Sequence, residues 1–210
     1  MIHPIREMRG VLIVSGVICL SITILSFFWG SVLLLVSAFI LGWIAFVLYF
    51  ARNPERSIPT GENLVVAPAD GRVMSIIQED GIRIHIFLSL FDVHVNRIPI
   101  QGVVKKVQYQ SGKYLPAFLS KAGNINERNT IHIKSKYGSV QFSQIAGLIA
   151  RRIVCKLTEE QSVDKGEIFG MIKFGSGIEL ILPASIQIKI KEGDRVRAGE
   201  SIIGEFVDEV

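Results

Sequence analysis

From Val11 to Phe50 the chain carries no Asp, Glu, Lys or Arg, and after Ala51 it changes to short alternations of apolar and polar residues. A helix rises about 1.5 Å per residue and a bilayer core is about 30 Å thick, so one crossing takes roughly 20 apolar residues. The stretch 11–50 is long enough for two helices, with Phe27-Phe28-Trp29-Gly30-Ser31 as the turn between them. A single crossing remains an alternative. Arg6 and Arg9 precede the stretch, and Arg52 and Arg56 follow it. Positive flanks on both sides predict a hairpin with both ends cytoplasmic, residues 1–10 forming the N-terminal flank. A cleaved signal peptide would have a shorter apolar core followed by a small-residue cleavage site.

Beyond the apolar stretch the period is two. Ile82, Ile84, Ile86, Leu88 and Leu90 alternate with Arg83, His85 and Ser89. Ile131 and Ile133 flank His132, and Ile186, Ile188 and Ile190 alternate with Gln187, Lys189 and Lys191. This is the pattern of half-buried strands. Asp70-Gly71, Asp80-Gly81, Tyr137-Gly138 and Glu192-Gly193-Asp194 supply turns between them. A short helix is expected at Leu115–Lys121. The pattern predicts a mainly β (α+β) domain over 51–210, a flattened barrel-sandwich with short helices, preceded by a transmembrane hairpin. Ala67–Val73 and Lys191–Glu200 resemble the paired halves of biotinyl- and lipoyl-type barrels, which would bring the ends of this domain together.

Composition narrows the partners. The chain has 210 residues and a net charge of +4, with its basic residues scattered. Nucleic acid is therefore not implied, whereas an anionic membrane surface is compatible. Cys19 falls in the apolar stretch and Cys155 in an apolar run, so neither argues for a disulfide. The four histidines, His3, His85, His94 and His132, show no metal-ligand spacing, and no metal is expected. His85 and His132 read as surface residues on polar strand faces, and Arg151 and Arg152 as a polar strand edge.

Chemistry gathers at Phe169-Gly-Met-Ile-Lys-Phe-Gly175-Ser176-Gly177-Ile-Glu-Leu180. Alone, Gly-Ser-Gly is a tight turn. Ahead of it come Arg52-Asn-Pro-Glu-Arg56, Pro68-Ala-Asp70-Gly71, Phe91-Asp-Val-His94-Val-Asn-Arg97, Asn126-Glu127-Arg128-Asn129 and Gln144–Ile153. In this order the blocks resemble the short bacterial and archaeal form of the phosphatidylserine decarboxylase proenzymes, from about Arg52 to Phe206.

The resemblance implies a lyase that cuts itself between Gly175 and Ser176. Ser176 Oγ would attack the Gly175 carbonyl, and the resulting ester would eliminate to leave dehydroalanine, which hydrolyses to a pyruvoyl cofactor. A β chain, 1–175, and an α chain, 176–210, would remain associated. The pyruvoyl ketone would form a Schiff base with the serine amine of phosphatidylserine and accept the electrons left by departing carbon dioxide. Pyridoxal phosphate is not expected, since the chain shows no glycine-rich phosphate loop. Glycine before Ser176 permits a strained, closely approached carbonyl. Glycine after it would leave the cofactor accessible.

The resemblance also assigns Asp70 to activation of Ser176, although Asp-Gly is equally an ordinary turn. A carboxylate is a weak base toward a hydroxyl and would more naturally orient a histidine. Longer relatives carry two histidines in the segment matching Asp92–Pro99; this chain keeps His94 and has Arg97 at the second place. Either His94 serves both self-cleavage and proton delivery, or Asp70 acts with less help. Arg97 could meet an anionic substrate group or form a salt bridge. Asn126, Glu127 and Asn129 could shape a substrate pocket or hydrogen-bond internally. The expected location is the cell membrane, with the catalytic domain on the cytoplasmic side; a homo-oligomer is compatible. Archaetidylserine, an ether lipid with the same headgroup, is an alternative substrate. A non-enzymatic biotinyl- or lipoyl-like carrier is the other alternative, and Lys173 beside Met171 would be its nearest approach to a modified lysine.

Overall fold

The computed structural model describes residues 3–29, 32–79, 81–113, 125–147, 152–173 and 176–207. The chain divides into two compact units, His3–Asn53 and Pro54–Val210.

The first unit is helical: α1 (Pro4–Glu7), α2 (Arg9–Trp29) and α3 (Val32–Phe50). The windows Arg9–Ser26 and Val32–Phe50 have mean hydropathies of 2.0 and 2.6, long and apolar enough to cross a membrane. Leu20, Leu35 and Phe39 are exposed on these helices, and a helix apolar on its outward side needs a non-aqueous surrounding. Small polar groups meet where the two helices touch. Thr23 Oγ1 lies 3.0 Å from Ser37 Oγ, and the Cys19 thiol 3.7 Å from the Ser37 carbonyl. Phe27, Phe28 and Trp29, expected in the turn, continue α2 instead. Gly30 and Ser31 lie outside the described residues, as does the helix expected at Leu115–Lys121.

The second unit is β, as the alternation predicted. Its large antiparallel sheet runs β13 (Arg195–Val196), β2 (Gly71–Glu79), β3 (Gly81–Leu88), β11 (Ser176–Leu182), β7 (Gly138–Ala146), β6 (Arg128–Ser135), β5 (Gly102–Gln110), β9 (Ser162–Val163). Two smaller sheets are β1 (Leu64–Val66), β14 (Ile202–Phe206), β12 (Ile186–Ile188), and β4 (Val95–Arg97), β10 (Ile168–Lys173), β8 (Arg152–Cys155). Ile84, Ile86, Ile131, Ile133, Phe142 and Leu180 from the large sheet share one buried cluster with Ile98, Phe169, Ile203 and Phe206 from outside it. Phe142 and Phe169 meet edge to face, their ring centres 5.1 Å apart.

The paired halves meet as expected. Val196 pairs with Gly71 and Arg195 with Arg72, while the Gly199 N–H donates to the Ala67 carbonyl. Gly71 must be glycine because a Cβ there would run into the Phe87 carbonyl oxygen. One expectation on β3 needs correction: Ile82 to Leu88 are buried on alternate positions, but Leu90 lies past the strand end. The chain leaves the sheet after Leu88 because Asp92 folds back on Ser89. The Asp92 carboxylate accepts from the Ser89 N–H at 2.8 Å, and the Asp92 N–H donates to the Ser89 carbonyl at 3.1 Å.

Phe142 is fully buried, so Phe142→Ala should cost about 3–5 kcal/mol in cavity and lost transfer energy. Urea unfolding of the full chain in detergent measures this; a loss below about 1 kcal/mol would show that Phe142 is not a core anchor.

Candidate functional site: the start of a central strand

Ser176 opens β11 with backbone partners on both sides, Leu88 on β3 and Ala146 on β7. Residues 174 and 175 lie outside the described residues, and of Ser176 the backbone alone is described. Around this start sits a small apolar cluster of Ala69, Leu88, Ala146, Ile172 and Ile178, with Ile153 packed against it. Each member belongs to a segment that matters. Asp70 follows Ala69, Leu88 and Ala146 flank Ser176, and the Ile172 N–H donates to the His94 carbonyl at 3.3 Å. The segments bearing Asp70, His94 and Ser176, scattered along the chain, therefore converge here.

Asp70 is clamped. Arg56 Nη2 reaches both carboxylate oxygens, at 3.0 and 2.8 Å, and the Ala198 N–H donates to Oδ1 at 2.8 Å. Arg56 Nη1 also meets Glu200 Oε2 at 3.2 Å, with only 6% of the arginine side chain exposed. Arg97 stands beside this group, its Nη1 donating to the Gly166 carbonyl at 2.9 Å. Partial burial and the Arg56 cation push the Arg97 pKa down, while Asp70 and Glu200 oppose that push. Two arginines and two carboxylates thus form one cluster.

His94 is fully buried, with Nδ1 2.9 Å from the Asp92 carbonyl oxygen. A carbonyl can only accept, so Nδ1 carries a proton. Asn126 Nδ2 donates to the Ala146 carbonyl at 2.8 Å, and the Ala146 N–H to the Glu127 carbonyl at 2.9 Å. These two residues brace the strand position opposite Ser176. Asn129 belongs to a different structure, a buried chain of amides in which its Nδ2 donates to Gln144 Oε1 and Gln144 Nε2 to Asn96 Oδ1. That chain ties β6 and β7 to β4, which leads out of the His94 segment.

On the opposite face, Glu179 bridges Arg83 and Arg128 at 3.0 and 3.1 Å, and His85 stands across from it in the sheet. A Cβ on Gly177 would come within 2.6 Å of His85 Nε2. A side chain at position 177 would therefore displace the His85 ring. His85 does point away from the core, but it is half-buried rather than a plain surface residue. Burial pushes its pKa down, with Glu179 opposing; burial and then Lys106 do the same to His132. Cys155 is half-buried and its thiol pKa is raised by burial, against hydrogen bonds from Leu157 and Asn129, consistent with an inert thiol. Arg152 is exposed on β8, while Arg151 lies outside the described residues. Lys173 ends β10, paired with Arg152 on β8. The sequence placed Arg56 in the positive flank and a block, Gln144 in a block and Ala198 in the second barrel half, without a site role for any of them. Order along the chain gives no sign that these contacts exist.

The family model for phosphatidylserine decarboxylase matches residues 43–204. This chain belongs to that family. Among its relatives, the phosphatidylserine decarboxylase proenzyme of Chlorobaculum tepidum is 43% identical over 93% of this chain and 94% of its own length. Those of Syntrophus aciditrophicus and Carboxydothermus hydrogenoformans are 46% and 41% identical, over 77% and 95% of this chain and 80% and 94% of theirs.

Since the folded state holds His85 below its ordinary value of 6.5, the unfolded chain takes up the proton first as pH falls. Stability from this group is full above about pH 6.5 and declines through the window below it. Urea midpoints of the full chain at about pH 7.5 and about pH 5.5 should differ less in His85→Gln than in the wild type. An unchanged difference would contradict the burial of this ring.

Proposed function

We propose that this chain is a membrane-anchored enzyme that converts phosphatidylserine to phosphatidylethanolamine and carbon dioxide after cutting itself between Gly175 and Ser176. The single observation that carries the proposal is the convergence of the Asp70, His94 and Ser176 segments on one apolar cluster, in a chain of this family. Residues 11–50 would be the anchor, with both ends and the catalytic domain on the cytoplasmic side.

Self-cleavage requires a hydroxyl, a base and a reachable carbonyl. Ser176 Oγ attacks the Gly175 carbonyl carbon and the acyl group moves from nitrogen to oxygen. Elimination then frees Gly175 as a carboxylate and leaves dehydroalanine, and water hydrolyses that terminus to a pyruvoyl group with loss of ammonia. His94 supplies the base, its ring positioned by the contact of Nδ1 with the Asp92 carbonyl. Asp70 has both oxygens held by Arg56 and one also by the Ala198 N–H. It acts as a fixed negative charge, and Arg97 takes the place a second histidine would fill.

The residues present fit a pyruvoyl group at position 176: the neighbours Ala69, Leu88, Ala146 and Ile178 are fully buried and apolar, which keeps water from a reactive ketone. When formed, the ketone supplies the electron sink for decarboxylation. His94 then returns a proton to the substrate carbon, and Arg97 attracts the anionic headgroup. The α chain stays bound without a covalent link, because β11 is paired on both edges and β12, β13 and β14 carry it through the domain.

Ser176→Ala should remain full length and yield no ethanolamine lipid. His94→Gln should slow processing by about 10²–10⁴, the usual worth of a positioned base. Gel separation of chains over time, with lipid analysis, measures both. Lipid turnover by Ser176→Ala contradicts the mechanism, and normal processing of His94→Gln removes this residue from the first step.

A further inference from the structure

The turn Ser89–Asp92 lies directly after Leu88, the partner of Ser176, and directly before the buried His94 segment. Two hydrogen bonds between Ser89 and Asp92 close it, so its shape is fixed. At its tip Phe91 is 67% exposed. Beside it a hollow is lined by Arg72, Met74, Phe87, Ser89, Asp92 and Arg195. Met74 is itself exposed, and Arg195 keeps 73% of its side chain in solvent, with Asp92 Oδ1 no nearer than 3.7 Å.

A lone exposed apolar residue is ordinary. This one is held by a rigid turn, joined by Met74 and the half-buried Phe87, and bordered by two arginines. Aromatic and apolar groups that can enter a headgroup layer, beside cations that can meet lipid phosphates, are the features of a surface that lies on an anionic bilayer. Asp92 offsets one of the two charges and faces Ser89 and Arg195. A protein partner fits less well, since stable protein interfaces use roughly 20 residues a side.

We propose that Phe91, Met74 and Phe87, with Arg72 and Arg195, form the face by which the decarboxylase domain docks on the anionic membrane carrying its substrate. The inference rests on the lipid decarboxylase reading. Chain length limits the separation: three residues from Leu88 to Phe91 span at most about 11 Å. A headgroup drawn from a bilayer at Phe91 is therefore already near the start of β11.

The test uses the full chain and two forms of phosphatidylserine: long-chain lipid in vesicles, and a short-chain form dissolved below its micelle concentration. Phe91→Ser, and separately Arg72→Gln with Arg195→Gln, should turn over the vesicle substrate about ten-fold more slowly, the size expected for losing one or two surface anchors. The dissolved substrate should be handled within about two-fold of wild type, and the arginine variant should lose most of the salt sensitivity of the vesicle reaction. Separation into two chains should be complete in both variants. Equal losses on both substrates, or no loss on vesicles, overturn the docking face. So does a change in oligomeric mass in Phe91→Ser, which would make the face a contact between copies of this chain. If the wild type consumes neither form, the lipid decarboxylase reading itself fails.

Discussion

Backbone pairing on both edges of β11 is the constraint on which the rest of this structure depends. A peptide bond at the head of an edge strand could be broken only at the risk of losing the strand. At Ser176 the strand is held by β3 through Leu88 to Ile82 and by β7 through Ala146 to Gln141. Ile178 and Leu180 below it are fully buried. A cut ahead of Ser176 would therefore free a new terminus without freeing the strand. The later strands tie the same segment in further, with β13 on β2 and β14 on β1.

The second organising element is the charge cluster around Asp70. Arg56 comes just after the apolar helices, Asp70 from the first barrel half, and Ala198 and Glu200 from the second. Removing either partner of this nearly buried pair would leave an uncompensated charge, which costs more than breaking a surface pair. The position of Asp70 is also fixed relative to the sheet, since Gly71 immediately follows and is pressed against Phe87. Arg97 is the neighbour of this cluster. In the reaction we propose, proton handling falls to His94, whose Nδ1 the Asp92 carbonyl holds.

Much of the fold was legible in the chain. Alternation marked β3 and β6, the uncharged stretch marked α2 and α3, and the likeness of Ala67–Val73 and Lys191–Glu200 to the two halves of a biotinyl- or lipoyl-type barrel foretold that these segments meet, as they do where β13 pairs with β2. Periodicity reports which face a residue occupies but not what lies across from it. That is why His85 read as a surface residue, although the absent side chain of Gly177 on the neighbouring strand lets its ring settle inward. It is also why Leu90 read as a continuation of β3: the turn that ends the strand depends on a carboxylate two residues further on. The clamp on Asp70 and the amide chain Asn129–Gln144–Asn96 depend on contacts between distant segments, which local pattern cannot express. The ordered blocks named the segments, and geometry supplied their partners.

The most direct measurement is the intact mass of the purified wild-type protein under denaturing conditions. Two polypeptides are expected, ending at Gly175 and beginning at position 176, the smaller blocked by a ketoacyl group in place of serine. One unbroken chain of 210 residues in an active preparation would contradict the account.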